Sequence, residues 1–207
     1  MLLTEGEVCG DADDLALLSA QQVERMQRLR QPAHQCRYLR TQARCRRILG
    51  RYVEIAPDAL SFHHGPAGKP MLDCDGAPPE FNLSTTGDLA VLAVSATRQI
   101  GIDCELESEH NDIIGIGRRM FDEDCVAALS ALTGTARVRA FHLHWTTLEA
   151  RVKADGRGLA RHRDADLPGL MVAHALAGEI AGRIAVLAVA RQGLPPPDQW
   201  LAFEFDR

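Results

Sequence analysis

Two short acidic segments carry the residues of this chain that are best suited to chemistry. Asp103 and Glu105 stand two residues apart at the end of an apolar run, so in a β-strand both side chains leave the same face. Glu149 and Lys153 stand four apart in a helical pattern, so both project from one side of a helix. If the pairs meet, three carboxylates face one ammonium, and three converging acids repel one another unless a cation lies among them. Because Mg²⁺ prefers oxygen ligands, the spacing favours a magnesium site for a phosphorylated substrate.

Taken singly, neither pair excludes a simpler interpretation. A lone Asp-x-Glu is more often a strand end whose polar face meets water. A glutamate and a lysine four residues apart are equally typical of an ion pair on a solvated helix. The metal-site hypothesis therefore depends on the fold bringing the two segments together.

The elements needed to position these pairs are predicted twice along the chain. A glycine followed by a Val-rich apolar run occurs at Gly87–Ser95 and recurs at Gly182–Ala190, an offset of 95 residues. Each run is typical of a buried strand that leaves a hairpin. A helical pattern precedes each one, at Arg37–Arg51 and at Phe141–Ala154. An offset near half the chain length favours an internal duplication.

We therefore predict an α+β fold of two similar lobes related by a pseudo-twofold axis. The lobes comprise residues 1–97 and 98–207 and join near Ala96–Gln99, and a last strand is predicted at Trp200–Phe205. A site that both lobes share would lie in the cleft between them.

Composition and charge exclude several classes of protein. At 207 residues, with 46% apolar and 25% charged residues, the chain is typical of a globular protein. A net charge of -5 argues against general nucleic-acid binding, which needs a basic surface. Nine arginines nevertheless lie between Arg25 and Arg51 without one acid. They form either a solvated helix face, the more ordinary interpretation, or a phosphate site or a dock for an acidic partner.

The cysteines and the apolar segments bear on location. The six cysteines are scattered without a C-x-x-C pair, which favours reduced thiols over a disulfide framework or a zinc site: Cys9, Cys36, Cys45, Cys74, Cys104 and Cys125. His142 and His144 diverge in a helical pattern, so they do not suggest a zinc site either. The sequence contains neither a signal-peptide pattern nor a stretch of membrane-spanning length. We expect a cytoplasmic protein without membrane contact.

Four motifs occur in a defined order and together resemble one family. They are Gly68-Lys69-Pro70, Phe81-Asn-Leu-Ser84-Thr85-Thr-Gly-Asp88, Gly101-Ile-Asp103 and Trp145-Thr-Thr-Leu148-Glu149-Ala-Arg-Val-Lys153, and 41 residues separate Asp103 from Trp145. In these segments the chain resembles the 4′-phosphopantetheinyl transferases, specifically the two-lobed, broad-specificity class named for the enzyme that activates surfactin synthetase. The resemblance spans Arg37 to Leu159.

This resemblance implies a reaction and roles for the acidic segments. A serine hydroxyl of an apo carrier protein would attack the β-phosphate of coenzyme A, and 3′,5′-ADP would leave. Asp103, Glu105 and Glu149 would hold Mg²⁺ against the pyrophosphate. Glu149, or a metal-bound water beside it, would accept the serine proton. Lys153 would neutralise charge on the departing ADP and could supply a proton.

The resemblance also implies residues that bind coenzyme A. Ser84, with the turn predicted at Asn82–Thr85, would meet the pyrophosphate through hydroxyl and backbone N–H groups. Arg37 and Lys69 occupy positions at which the family places cations against the 3′-phosphate and neighbouring groups. His64 would contact the nucleotide, although a structural loop histidine is about as probable at that position. Carrier proteins are acidic around their modified serine, so part of the arginine cluster could serve docking. With both lobes in one chain, we expect a monomer.

Two departures from the family pattern leave an alternative open. The family histidine after Asn-Leu-Ser is Thr85, whose hydroxyl can still donate to a phosphate oxygen. The family lysine before the helix glutamate is Leu148, and one charge-assisted contact is worth about 1.5–3 kcal/mol. The chain is therefore either an active transferase, which we favour, or a catalytically impaired homologue that binds coenzyme A or a carrier protein as an accessory module. A plain α+β interaction protein is a remote third interpretation.

Overall fold

The computed structural model describes residues 12–108, 112–180 and 183–189, and it describes 171–180 and 183–189 by their backbone alone. Helices and small sheets occur together in this part of the chain, which confirms the predicted α+β class. The last predicted strand, Trp200–Phe205, lies outside the described residues.

The described helices comprise six α-helices and one short 3-10 helix. In chain order they are α1 (Ala12–Ala16), α2 (Ala20–Gln27), α3 (Pro32–Val53), α4 (Ile113–Met120), α5 (Glu123–Ala131), α6 (Gly134–Asp155) and the 3-10 helix Leu159–Arg161. The two predicted helices are confirmed within α3 and α6, and both are longer than predicted. At the start of α3 the extension has a local reason, since Pro32 in the first turn is pre-organised for a helix. Both helices end at a residue in the left-handed conformation, Glu54 after α3 and Gly156 after α6.

Seven strands in the described residues form three small sheets. They are β1 (Phe62–His64), β2 (Pro70–Leu72), β3 (Glu80–Thr86), β4 (Leu89–Ser95), β5 (Ile100–Leu106), β6 (Met171–Ile180) and β7 (Arg183–Val189). One sheet contains β1 and β2, the second contains β3 and β4, and the third has the order β5-β7-β6. The repeated apolar runs form β4 and β7, and each pairs antiparallel with the strand before it. The two predicted strands are therefore confirmed.

The chain divides into two compact units. One comprises Met1–His63 with Leu72–Pro79, and the other comprises His64–Met71 with Glu80–Arg207. These units follow the packing of the backbone, whereas the predicted lobes 1–97 and 98–207 follow the internal repeat. The lobes remain a prediction.

In the first unit, helices α1 and α2 pack on α3. Leu18, Leu39 and Ala43 form a small apolar core, and Leu17, Val23, Met26 and Tyr38 pack against it. The side chain of Arg46 is buried and donates to Gln22 Oε1 and to the carbonyls of Pro57 and Leu60. These hydrogen bonds compensate for the loss of water around its charge.

In the second unit, strand β5 pairs antiparallel with β7, and helix α6 packs against both strands. Five consecutive residues of β5, Ile100 to Cys104, are buried. At the other end of α6, Ile113, Leu129 and Phe141 form a second core that joins α4, α5 and α6. The fold thus buries Asp103, the one charged residue among these five positions of β5.

The cysteines depart from expectation at one position. Cys45, Cys74, Cys104 and Cys125 are free thiols. Cys36 is disulfide-bonded. The prediction of reduced thiols throughout is therefore wrong for Cys36. Within the described ranges, no helix is both long enough and apolar enough to cross a membrane.

Candidate active site

Asp103 is the centre of the candidate site. It lies in the middle of β5, opposite Val186 of β7, and only 2% of its surface is exposed. A charged carboxylate so deeply buried must be compensated by hydrogen bonds or by opposite charge. The neighbouring residues that could supply this compensation come from β3 and α6.

Gly101 explains how α6 comes close enough to reach Asp103. A Cβ atom at this position would lie 2.0 Å from the carbonyl oxygen of Ala150 and 2.4 Å from the amide nitrogen of Ala154. Both atoms belong to the backbone of α6, so neither can move aside independently. Only glycine permits this approach of helix to strand, which accounts for the glycine two residues before Asp103.

Helix α6 presents Glu149 and Lys153 on one face, as their spacing predicts. Lys153 Nζ lies 2.6 Å from Asp103 Oδ1 and 3.6 Å from Glu149 Oε2. The side chains of Asp103, Glu149 and Lys153 are 3%, 15% and 29% exposed, so the cluster becomes more exposed from the strand outward. The structure therefore joins the two segments that the sequence left far apart.

Burial and charge shift the proton affinities within this cluster. Burial raises the pKa of Glu149 above its ordinary value, and the negative charge of Asp103 acts in the same direction, while Lys153 partly opposes both. Burial alone would lower the pKa of Lys153, but the charges and hydrogen bonds of Asp103 and Glu149 outweigh it and raise that pKa. Lys153 therefore stays charged, and Glu149 becomes a stronger base than a solvated glutamate.

Ser84 is the second polar neighbour of Asp103. It lies in strand β3, so the prediction of a turn at Asn82–Thr85 is wrong. Its hydroxyl donates to Asp103 Oδ1 over 2.8 Å and accepts from the backbone N–H of Cys104 over 3.3 Å. The other carboxylate oxygen, Asp103 Oδ2, is buried and has no hydrogen-bond partner. A buried carboxylate oxygen in this state is suited to receive a cation.

The three predicted metal ligands are only partly assembled. Asp103 and Glu149 are linked through Lys153, while Glu105 lies two residues further along β5 and is partly exposed. Across the described residues, no group of three or more His, Cys, Asp or Glu side chains is close enough to hold a metal ion. The three-ligand set remains a prediction, and the unpartnered Asp103 Oδ2 is the feature most compatible with it.

Lys69 lies inside the protein, in contrast to a surface cation for a phosphate. Its ammonium donates to the carbonyl oxygens of Ile100, over 3.0 Å, and Ala154, over 2.9 Å. Its side chain is 9% exposed, and the carboxylate of Glu80 lies 3.8 Å away. Lys69 therefore ties the first residue of β5 to the last turn of α6.

The other predicted coenzyme A residues lie on other elements. Arg37 lies on α3 in the first unit and is half-buried. His64 ends β1 and is exposed, and Thr85 is exposed because it alternates with Ser84 along β3. Leu148, the residue beside Glu149, is half-buried.

His142 and His144 contact different neighbours. His142 Nε2 accepts a hydrogen bond from the backbone N–H of Ser108, whereas His144 Nδ1 lies 3.6 Å from the sulfur of Cys125. The sequence-based inference that they diverge on the helix agrees with these contacts.

Sequence reasoning missed two groups of residues that support the site. Asn82 and Thr86 bind β5 on either side of Ser84, and their alternation with Ser84 in Asn-x-Ser-x-Thr was the available signal.

The second group is a network of alternating charges at the end of α6 and in the loop that follows it. Arg157 pairs with Asp155 and Asp166, and Asp166 also pairs with Arg151. No local spacing predicts this network, because it depends on how the loop after α6 folds back.

Comparison with known proteins identifies the family that this chain resembles. Residues 99–188, which include β5 and α6, match the family described as the 4′-phosphopantetheinyl transferase superfamily. A protein of Synechocystis sp. is 31% identical over 146 residues, covering 70% of this chain and 59% of that protein. The 4′-phosphopantetheinyl transferase HetI of Nostoc sp. is 33% identical over 157 residues, covering 75% of this chain and 66% of HetI. The 4′-phosphopantetheinyl transferase gsp of Aneurinibacillus migulanus is 31% identical over 114 residues, covering 55% of this chain and 46% of that protein.

These matches place the chain in the 4′-phosphopantetheinyl transferase superfamily. The aligned part spans less than two thirds of each of these relatives.

Proposed function

We propose that this protein transfers the 4′-phosphopantetheine arm of coenzyme A to a serine of an apo carrier protein and releases 3′,5′-ADP. The observation that carries the proposal is the contact of Lys153 with both Asp103 and Glu149, in a chain that resembles named transferases. Phosphoryl transfer is catalysed mainly by positioning and by neutralising charge, and this cluster holds two carboxylates and an ammonium group in a partly dry site.

Mg²⁺ is the cation that these residues fit. Asp103 offers a buried carboxylate oxygen without a partner, and all three proposed ligands, Asp103, Glu105 and Glu149, supply the oxygen atoms that Mg²⁺ prefers. When bound, the ion would neutralise charge on the pyrophosphate of coenzyme A.

The protein residues supply the proton chemistry. Glu149, with its raised pKa, is placed to accept the proton of the attacking serine. Lys153 carries a positive charge toward the phosphate that becomes the leaving 3′,5′-ADP, and it can give that group a proton. Since Lys153 already contacts Asp103, it also holds the acids in place before substrates bind.

Coenzyme A is the proposed cosubstrate, with Arg37, His64 and Thr85 meeting its nucleotide and phosphates. The bonds that Lys69 makes to two carbonyls favour a supporting role over its predicted phosphate contact. We further propose acidic carrier proteins as partners, a monomer, a cytoplasmic location, and a pseudo-twofold relation of the lobes 1–97 and 98–207. The repeated strand pairs, β3 with β4 and β6 with β7, support the last point.

The experiment is a transfer assay read by mass spectrometry. The protein is incubated with coenzyme A, Mg²⁺ and several apo carrier proteins, and each carrier is then weighed. We expect a carrier to gain the mass of one phosphopantetheine group, and Asp103→Ala to abolish that gain. Glu107→Ala is the control, because Glu107 lies on the same segment and its recorded ion pair is a long one, 3.6 Å to Arg139. Transfer by Asp103→Ala at the rate of the unsubstituted protein would contradict the metal assignment.

Leu148 and Thr85 motivate the second candidate, an impaired homologue that binds coenzyme A or a carrier protein. If coenzyme A binds and no carrier gains mass, this accessory role replaces the transferase proposal. Leu148→Lys separates the two further, since restoring a charge-assisted contact worth about 1.5–3 kcal/mol should raise the rate by roughly one to two powers of ten. An unchanged rate would mean that another group already supplies that charge.

A further inference from the structure

Strand β3 is attached to β5 by side chains at three alternate positions. Asn82 Oδ1 accepts from the N–H of Ile102 over 2.8 Å, and Thr86 Oγ1 accepts from the N–H of Leu106 over 3.2 Å. Between them, Ser84 Oγ accepts from the N–H of Cys104. Alternate N–H groups of a strand point to the same edge, so these three side chains bind the edge of β5 that does not pair with β7.

Ser84 differs from the other two residues by a second bond. A serine hydroxyl has one proton to donate and two lone pairs with which to accept. Asn82 and Thr86 have acceptor bonds to β5, whereas Ser84 also donates its proton to Asp103 Oδ1 over 2.8 Å. Because Ser84 is 6% exposed, water has little access to take over this bond.

The bond from Ser84 distinguishes the two oxygen atoms of Asp103. Oδ1 receives both the Ser84 hydroxyl and the Lys153 ammonium, which lies 2.6 Å away, while Oδ2 is buried without a partner. Two donors on one oxygen oppose rotation of the carboxylate about its terminal torsion, which is otherwise broad and roughly two-fold. The carboxylate is therefore held with Oδ2 as its available ligand atom.

We propose that Ser84 is a positioning residue for the transfer reaction: it orients Asp103 so that Oδ2 faces the Mg²⁺ ion, and its hydroxyl proton serves Asp103 and not the pyrophosphate of coenzyme A. The inference rests on the proposed function. Hydrogen-bonding partners that orient a metal ligand commonly change metal affinity by roughly 10–100-fold when they are removed.

The test measures Mg²⁺ affinity directly, by isothermal titration calorimetry on the full chain without coenzyme A. Ser84→Ala should weaken Mg²⁺ binding about 10-fold or more. Ser84→Thr keeps the hydroxyl and should restore most of the affinity. Thr86→Val is the matched control, since it removes another hydroxyl that binds a β5 amide but has no recorded contact with Asp103. It should bind Mg²⁺ like the unsubstituted protein.

Transfer kinetics on the same variants separate positioning from substrate contact. For Ser84→Ala we expect kcat to fall at low Mg²⁺ and to recover in part at high Mg²⁺, with the KM for coenzyme A nearly constant. Ser84→Cys keeps the side-chain size with only a weak donor, and it should behave in the same way if the alanine variant does not fold.

Three outcomes would overturn the inference. Unchanged Mg²⁺ affinity with a raised KM for coenzyme A would mean that Ser84 contacts the substrate. Unchanged affinity and unchanged kinetics would mean that it has no role beyond strand attachment. Equal losses of affinity in Ser84→Ala and Thr86→Val would mean that strand attachment alone matters. If the unsubstituted protein neither binds Mg²⁺ nor transfers, the proposed function itself fails, and this result is distinct from the other three.

Discussion

Two lysines lie along the contact between β5 and α6. The ammonium group of one is bound by backbone carbonyls, and that of the other is bound by carboxylates. At one end, Lys69 donates to the carbonyls of Ile100 and Ala154. Further along β5, Lys153 contacts the carboxylates of Asp103 and Glu149. The carbonyls are neutral dipoles of the backbone, whereas the carboxylates carry charge.

The two regions shift the lysine pKa in opposite directions. For Lys69, burial lowers the pKa, and the more distant charges of Glu80 and Asp155 do not compensate for it. For Lys153, the adjacent acids outweigh burial and raise the pKa. The Lys69 region therefore holds strand and helix together through neutral groups, while the Lys153 region holds a charged cluster, the one that the proposed transfer would use.

The largest effect is expected where both regions depend on one residue, Gly101. In Gly101→Ala the new methyl group would overlap the backbone of α6, which we expect to cost about 3 kcal/mol or more, at the upper end of overpacking penalties. Urea unfolding measures the loss. Gly65→Ala is the control, because its Cβ would meet no atom nearer than 3.6 Å. Equal stability of the two variants would contradict the close approach of β5 and α6.

Lys153→Met should come next and should act mainly on the reaction. Removing a group that neutralises and protonates the leaving phosphate should lower kcat by roughly 100-fold or more. The variant should also lose stability, because the buried Asp103 carboxylate keeps the Ser84 hydroxyl but loses its opposite charge. Steady-state transfer kinetics and circular dichroism measure the two effects. Lys153→Arg should retain more activity, and full activity in Lys153→Met would remove this lysine from the mechanism.

Lys69→Met should have the complementary effect, on stability more than on the reaction. It leaves two buried carbonyls without their donor, and we expect a loss of about 1–3 kcal/mol in the free energy of unfolding. The KM for coenzyme A should stay nearly constant for the folded fraction. A normal stability with a much higher KM would instead support the phosphate contact that the sequence predicted.

The smallest expected effect is the difference in pKa between Lys69 and Lys153, which a titration of the two side chains measures. The pKa of Lys69 should lie below the ordinary lysine value of 10.5, and the pKa of Lys153 should lie above it. Lys69 therefore contributes stability that is present above pH 10.5 and lost as the pH falls through its folded pKa. Lys153 contributes stability that is present below pH 10.5 and lost as the pH rises through its folded pKa.

Nuclear magnetic resonance of the lysine side chains, assigned with the two methionine variants, measures both values. Titration of the two groups on the same side of 10.5 would contradict the distinction between the regions.

Local patterns predicted the two long helices, the two repeated strands and the spacing of the central acids. Helical spacing predicted that Glu149 and Lys153 share a face, and both repeated apolar runs are strands. These features depend on neighbours in sequence, whose geometry is set by the helix and strand repeats. The order of the motifs indicated the transferase family, and the comparisons confirm that family.

The roles of Lys69 and Ser84 did not follow from such patterns. As isolated residues, a lysine in a turn and a serine in a strand suit a phosphate ligand equally well. Their partners, Ala154 for Lys69 and Asp103 for Ser84, lie 85 and 19 residues away in sequence. No periodicity relates positions so far apart.

The sequence by itself determined the candidate residues: two acids and a lysine at strand and helix spacing, within ordered motifs of one superfamily. The tertiary structure decided how they are connected. Packing of α6 over Gly101 brings Lys153 to Asp103, and attachment of β3 to β5 brings Ser84 to the same carboxylate. Asp103 Oδ2 is buried and has no hydrogen-bond partner. A hydrogen bond requires a donor at a suitable distance and angle, and only the tertiary structure decides which groups meet in that way.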